Sequence, residues 1–313
     1  MKKIVGILLL LALIFLVVGY FALIGFANQE LKTIAAVQTK DFLSDKNKAL
    51  ALADWIHSPN FTFGKSIHVP ELVFFTRVGD CVDFSNIFVI MSNSIGLPAR
   101  VVATDGEAHS WVEIYSDGRW INLDPYTGTE KSFDNPRYYV DEWTDGNYHK
   151  RLSYVYWQDG SGQKRDLTKK YVDTGQLVVM VSENALPAKT RVIVKSHHLM
   201  EAIPKDYKTP YVSLVEETNE SGIFEKEFGP NTYTVIVEKD ILPIFSVVVW
   251  RAEKEISLEK GSIETVTFDS DLKFGLQEYA SFTVLFLLEV IVLVYLLIQL
   301  YGMIKQKRFK TRL

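Results

Sequence analysis

Gly79-Asp80-Cys81-Val82-Asp83-Phe84 holds the only cysteine of the chain, and two further blocks follow it, His109-Ser110-Trp111-Val112-Glu113 and Trp120-Ile121-Asn122-Leu123-Asp124-Pro125. Phe84, Ile87, Phe88, Met91 and Ile95 recur at helical spacing, so a helix is predicted from about Cys81 to Ser94, with Gly79 or Asp80 before it and Gly96-Leu97-Pro98 ending it. Cys81 then lies in the first turn, where unpaired N–H groups and the helix dipole stabilise negative charge. Asp80 and Asp83 oppose that effect, so a reactive sulfur here needs a cationic partner.

The partner is expected on a hairpin. Leu97 to Ala103 reads as a strand, Asp105-Gly106 as a turn, and His109 to Tyr115 as the returning strand; Ser116-Asp117-Gly118-Arg119 then turns the chain into Trp120 to Asp124. If Ser116 pairs with Arg119, Trp111 lies opposite Asp124 and His109 lies diagonal to it. Alternation puts His109, Trp111, Glu113, Asn122 and Asp124 on one face. Diagonal neighbours are about 7 to 8 Å apart at the backbone, within reach of an imidazole and a carboxylate. Thiolate, imidazolium and carboxylate are the groups that nucleophilic attack on an amide requires, with His109 moving the proton and Asp124 orienting the ring. Each residue also has a plainer reading: Cys81 as a small buried hydrophobe, His109 as a polar strand residue, Asp124 as a turn acid before Pro125.

These blocks, with Gly96-Leu97-Pro98-Ala99-Arg100-Val101 and the lead-in Asp54-Trp55-Ile56-His57, resemble the successive motifs of the transglutaminase-like superfamily, over about residues 46–130. The resemblance implies a papain-like fold with Cys81 as nucleophile, His109 as base and acid, and Asp124 as the orienting carboxylate. Asn135-Pro136-Arg137-Tyr138-Tyr139, Trp143, Leu152-Ser153-Tyr154-Val155 and Asp166 to Tyr171 look like the segment that follows the triad in peptide N-glycanases. That family's paired Cys-x-x-Cys zinc motifs are absent from a chain with one cysteine, so the likeness speaks for fold more than for substrate. The Cys81 N–H is one candidate oxyanion donor; Thr76 and Arg77 are others. His57, His68, His197 and His198 are not expected to be bases, and His149 is the substitute if His109 faces away. No spacing suggests a zinc or calcium site, and no cofactor is expected.

The ends of the chain suggest a membrane. Ile4 to Phe26 is an unbroken apolar run, and Ala280 to Ile304 is a second with Glu289 inside it; each is long enough to span a bilayer. Lys2 and Lys3 precede the first, and Lys305, Lys307, Arg308, Lys310 and Arg312 follow the second, so both termini are expected in the cytoplasm and the middle outside it. The first run also has the features of a cleaved signal peptide, with Gly25-Phe26-Ala27 as a cleavage site, although its apolar stretch is longer than usual. Setting aside the seven flanking bases and Glu289 takes the net charge of −4 to −10 for the segment between, which argues against nucleic acid as a partner. Glu289 needs a partner in lipid: Tyr20 of the first span, or a second copy in a homo-oligomer.

Between anchor and cysteine, Gln29 to Phe42 reads as a polar helical stalk, Lys46 to His57 as a helix, and Asn60 to Phe75 as irregular, broken by Gly64 and Pro70. From Gln176 to Phe274 six or seven short strands suggest an immunoglobulin-like sandwich, either a spacer or a substrate-binding module.

The organisation expected is therefore α+β: an anchor (1–27), a papain-like transglutaminase core (28–175), an immunoglobulin-like β-sandwich (176–275), a second transmembrane helix (280–304) and a basic cytoplasmic tail (305–313). The function expected is a membrane-anchored extracytoplasmic cysteine amidase or transamidase acting through a thioester on a peptide or protein. The alternatives are a catalytically silent module that binds a peptide or glycan, and a deglycosylating amidase.

Overall fold

The computed structural model describes residues 2–57, 59–106, 108–126, 129–141, 144–145, 148–149, 152–197, 211–242, 247–270 and 295. The chain divides into a large compact unit, 1–182 with 187–268, and a small one, 183–186 with 269–313. The second apolar run and Glu289 belong to the small unit and, Tyr295 apart, lie outside the described residues.

Helix α1 runs without a break from Lys2 to Thr39. Among the described residues it is the one helix long and apolar enough to cross a membrane, with mean hydropathy 2.7 over its best window. Its second half is not a stalk. Ala27, Leu31 and Ala35 are fully buried, one above the other on a single face, and they join α2 (Asp45–His57) and α4 (Cys81–Ser94) in one core.

The segment expected to be irregular contains helix α3 (Pro70–Thr76) and two short paired strands, β1 (Thr62–Phe63) and β2 (Val78–Gly79). Pro70 starts this helix rather than breaking it. At the first helical position its missing N–H is one that would have no partner and its fixed φ suits the helix. Arg77, at φ 59°, closes the helix in the left-handed region.

Helix α4 occupies the predicted span. Asp80 and Asp83 form a capping box at its start. At its end Gly96 has φ 78°, Leu97 N–H donates to Ser92 C=O and Gly96 N–H to Asn93 C=O, the paired bonds of a Schellman turn.

Strands β3 (Ala99–Thr104), β4 (His109–Ser116) and β5 (Arg119–Leu123) form an antiparallel sheet that β8 (Tyr156–Gln158) and β9 (Lys164–Asp166) extend, in the order β5-β4-β3-β8-β9. Asp117 and Gly118 both have positive φ, as the two-residue turn between β4 and β5 requires. Alternation along β4 divides the sheet: Val112 and Ile114 face the helices, whereas Trp111 packs on the opposite side with Tyr139, Tyr171 and Leu152. Between β5 and β8 the chain makes two short helices, α5 (Thr129–Ser132) and α6 (Tyr138–Asp141), and a two-residue ladder, β6 (Thr144–Asp145) with β7 (Tyr148–His149). Helix α7 (Thr168–Tyr171) follows β9.

The remaining strands form two sheets. One holds β10 (Gly175–Glu183) between β14 (Ile223–Phe228) and the short β11 (Leu186–Pro187), with β17 (Ile263–Ser270) also paired to β10; the other has the order β13 (Tyr211–Glu217), β12 (Arg191–Ser196), β15 (Asn231–Leu242) and β16 (Val247–Leu258). Inward-facing residues alternate along the strands of both: Leu177, Val179 and Val181 of one sheet and Val192, Val194, Tyr233, Val235 and Val237 of the other share one core. Strand β16 is twelve residues long, where the sequence suggests only short strands. It lies at a sheet edge, where a charged run such as Arg251-Ala252-Glu253-Lys254-Glu255 is tolerated and hides the apolar pattern.

Candidate active site

Capping aims Cys81. One oxygen of Asp80 accepts the N–H groups of Val82 (3.0 Å) and Asp83 (3.3 Å), and one oxygen of Asp83 accepts the N–H of Asp80 (2.9 Å). This holds Cys81 at the first position of α4, with only 8% of its surface exposed. Its sulfur lies 3.8 Å from the carbonyl oxygen of Ala108, the residue that precedes β4.

His109 is the first residue of β4 and is buried. The sheet register pairs Ser116 with Arg119, Glu113 with Asn122 and Val112 with Leu123, without a bulge, so Asp124 comes level with Trp111 and diagonal to His109. His109 Nε2 lies 2.8 Å from Asp124 Oδ2. The other oxygen of Asp124 accepts the N–H of Tyr126 (2.9 Å), and the Asp124 N–H donates to the hydroxyl of Ser132 (2.9 Å), which fixes the carboxylate on both sides. Burial pushes the imidazole pKa down. Burial is the largest single influence, but the charge and hydrogen bond of Asp124 and the hydrogen bond and charge of Cys81 together outweigh it, and the net result is about 9. With Nε2 engaged by Asp124, Nδ1 is the nitrogen left for the sulfur. The structure thus brings Cys81, His109 and Asp124 together.

The transglutaminase-like superfamily profile matches residues 32–125. Relatives include a peptide-N(4)-(N-acetyl-beta-glucosaminyl)asparagine amidase of Eremothecium gossypii, 32% identical over 123 residues that cover 38% of this chain and 32% of the relative. The uncharacterized protein YebA of Bacillus subtilis is 28% identical over 138 residues, covering 34% of this chain and 18% of that protein. A solved structure described as a TGase is 18% identical, covers 39% of this chain and 36% of its own, and superposes with a TM-score of 0.30. The chain carries a transglutaminase-like domain. It spans about a third or less of the length of these curated relatives.

The transglutaminase-like domain uses residues around the three that the motifs alone do not single out. Trp111 stacks on Tyr139 (centroids 4.2 Å apart) and on the His109 ring (5.9 Å), and Tyr171 meets its edge at 5.0 Å. This aromatic wall packs against the imidazole. Glu113, fully buried, accepts hydrogen bonds from Arg100 (2.7 Å), Lys170 (2.5 Å) and the Tyr171 hydroxyl (2.7 Å). Arg100 is in turn sandwiched between Trp120 (4.1 Å) and Trp157 (4.5 Å). Glu113 belongs to the predicted face, but no local pattern names Lys170 or Tyr171 as its partners.

The side-chain candidates for an oxyanion donor make other contacts. The hydroxyl of Thr76 bonds Val73 C=O and Val78 C=O at the end of its own helix. The guanidinium of Arg77 sits among Phe74 (4.4 Å), Phe61 (5.1 Å) and Trp55 (5.8 Å). His57 packs edge-on to Tyr126, His197 bonds Thr234 in the paired sheets, and His68 lies beside Asp80 and Asp83. The side chain of His149 and the whole of His198 lie outside the described residues.

Proposed function

We propose that this chain is a membrane-anchored cysteine amidase or transamidase that works outside the membrane on a protein or peptide. Cys81 attacks an amide carbonyl. His109 accepts the thiol proton and returns it to the departing amine, while Asp124 keeps the ring oriented and its charged form favoured. The acyl group then rests on the sulfur as a thioester, which water resolves in hydrolysis and a second amine resolves in transamidation. The Cys81 N–H, one of the first-turn donors without an intrahelical partner, supplies one hydrogen bond to the oxyanion. The observation that carries this reading is the buried 2.8 Å contact of His109 with Asp124, with the Cys81 sulfur 3.8 Å from the carbonyl oxygen of Ala108, the residue just before His109.

The apolar first half of α1 supports a membrane anchor, and the basic residues beside both apolar runs support a two-pass topology with cytoplasmic termini. Association through the spans, as a homo-oligomer, would give Glu289 its partner. A deglycosylating amidase is the second reading, and similarity to the asparagine amidase of Eremothecium gossypii favours it.

Alkylation by iodoacetamide, followed by mass spectrometry of the Cys81 peptide, tests the enzyme reading. At about pH 6.5 the intact chain should react at least about tenfold faster than His109→Ala or Asp124→Ala. Equal rates in all three would leave a silent binding module. Trapping the thioester from a cell-surface extract would then name the substrate, and release of glycan from a glycopeptide would select the deglycosylating reaction.

A further inference from the structure

Sequence spacing shows no metal motif, yet folding gathers three potential ligand atoms at the start of α4. His68 Nδ1 lies 3.5 Å from Asp83 Oδ1 and 3.6 Å from Asp80 Oδ2, and all three atoms fall within 4.8 Å of one another. We propose that His68, Asp80 and Asp83 form a binding site for a divalent metal ion of the zinc class.

Three observations support this assignment. First, Asp83 is fully buried, and its Oδ1 has no hydrogen-bond partner among the described residues. A buried carboxylate oxygen left without a donor is costly, and a cation is the usual remedy. Its other oxygen is already supplied by the Ser66 hydroxyl (2.5 Å) and the Asp80 N–H (2.9 Å), so no simple rotation would satisfy both.

Second, the capping box orients the ligands. It occupies one oxygen of each aspartate and leaves Asp80 Oδ2 and Asp83 Oδ1 turned toward His68. Ser66 completes the support: its oxygen also accepts the N–H of His68 (2.9 Å), so one hydroxyl braces two ligand-bearing residues. Groups of this kind behind the ligands commonly fix their direction.

Third, the spacing suits a small ion. Bonds of about 2.0–2.1 Å to nitrogen and oxygen in a tetrahedral zinc site separate neighbouring ligands by about 3.4 Å. The His68 contacts are close to that separation. The His68 side chain is 56% exposed, which leaves a route for the ion and a fourth position for water or a substrate group. An ion here would also cancel the charge of the two carboxylates that flank Cys81, which otherwise oppose negative charge on its sulfur.

The full chain in detergent, stripped of metal and titrated with zinc by calorimetry, tests the site. Cys81 and His109 can themselves bind zinc, so the titration is made in Cys81→Ser. That variant should take up one zinc ion. Adding His68→Asn, a residue that tolerates positive φ, should weaken uptake at least about tenfold, and zinc should raise the melting temperature of the first variant but not of the second. Asp83→Asn keeps a capping oxygen and should lose zinc as well. Uptake unchanged by His68→Asn, or none by Cys81→Ser at about 100 µM zinc, would overturn the proposal.

Discussion

His109 takes up its proton against the effect of burial, because Asp124 and Cys81 together outweigh desolvation. The pKa of about 9 in the folded chain, against 6.5 as the ordinary value, makes the proton a contributor to stability. The contribution is complete below about pH 6.5 and is lost as pH rises through about 9, since the folded state then binds more protons than the unfolded one across that window. Denaturant unfolding should accordingly show stability falling between about pH 6.5 and 9, with a smaller fall in His109→Gln; a flat profile for the intact chain would contradict the pairing. Glu113 is a buried carboxylate held by Arg100 and Lys170. Glu113→Gln should cost about 2 kcal/mol in denaturant unfolding, less than for a fully enclosed pair because both cations retain some contact with solvent.

At the scale of elements, α1 has two environments within one uninterrupted helix. Leu16 and Phe21 are exposed, whereas Ala27, Leu31 and Ala35 are fully buried in the core with α2 and α4. The apolar segment therefore continues into the folded domain without a flexible joint. Leu31→Ala should lower stability by about 3 kcal/mol, measured by denaturant midpoint, because it opens a cavity in that core. Leu16→Ala should leave the midpoint unchanged. The buried half reads as a stalk in sequence because its inward stripe is narrow and mostly alanine, so polar neighbours dominate the composition. Helix α3 escapes a periodicity argument for a related reason: seven residues are too few to establish a period, and Pro70 signals a helix start as readily as a break.

Across the large unit, the paired sheets are fastened to the transglutaminase-like domain rather than hung from it. Tyr154 and Tyr156 belong to the same core as the strands of both sheets. Gly229 N–H donates to Ser153 C=O (2.8 Å), the Ser153 and Ser213 hydroxyls are bonded at 3.0 Å, and a side chain at Gly229 would collide with the carbonyl of Leu152. Gly229→Ala should therefore destabilise the whole unit, and the intact unit should unfold in one calorimetric transition. Two separate transitions in the intact chain would show a loosely attached spacer.

The sequence by itself determined what near neighbours along the chain decide. The span of α4, its stop at Gly96, the turn at Asp117-Gly118 and the register that sets Asp124 diagonal to His109 all rest on period, caps and turn residues within a few positions. The order of the motifs carried the family. Only the tertiary structure decided which distant side chains complete the site: Tyr139 and Tyr171 against Trp111, Lys170 on Glu113, and His68 beside Asp80 and Asp83. Those contacts join residues on separate elements, and neither a period nor a local propensity encodes a meeting between elements; it is settled when their apolar faces pack together and the polar groups trapped beside them must find partners.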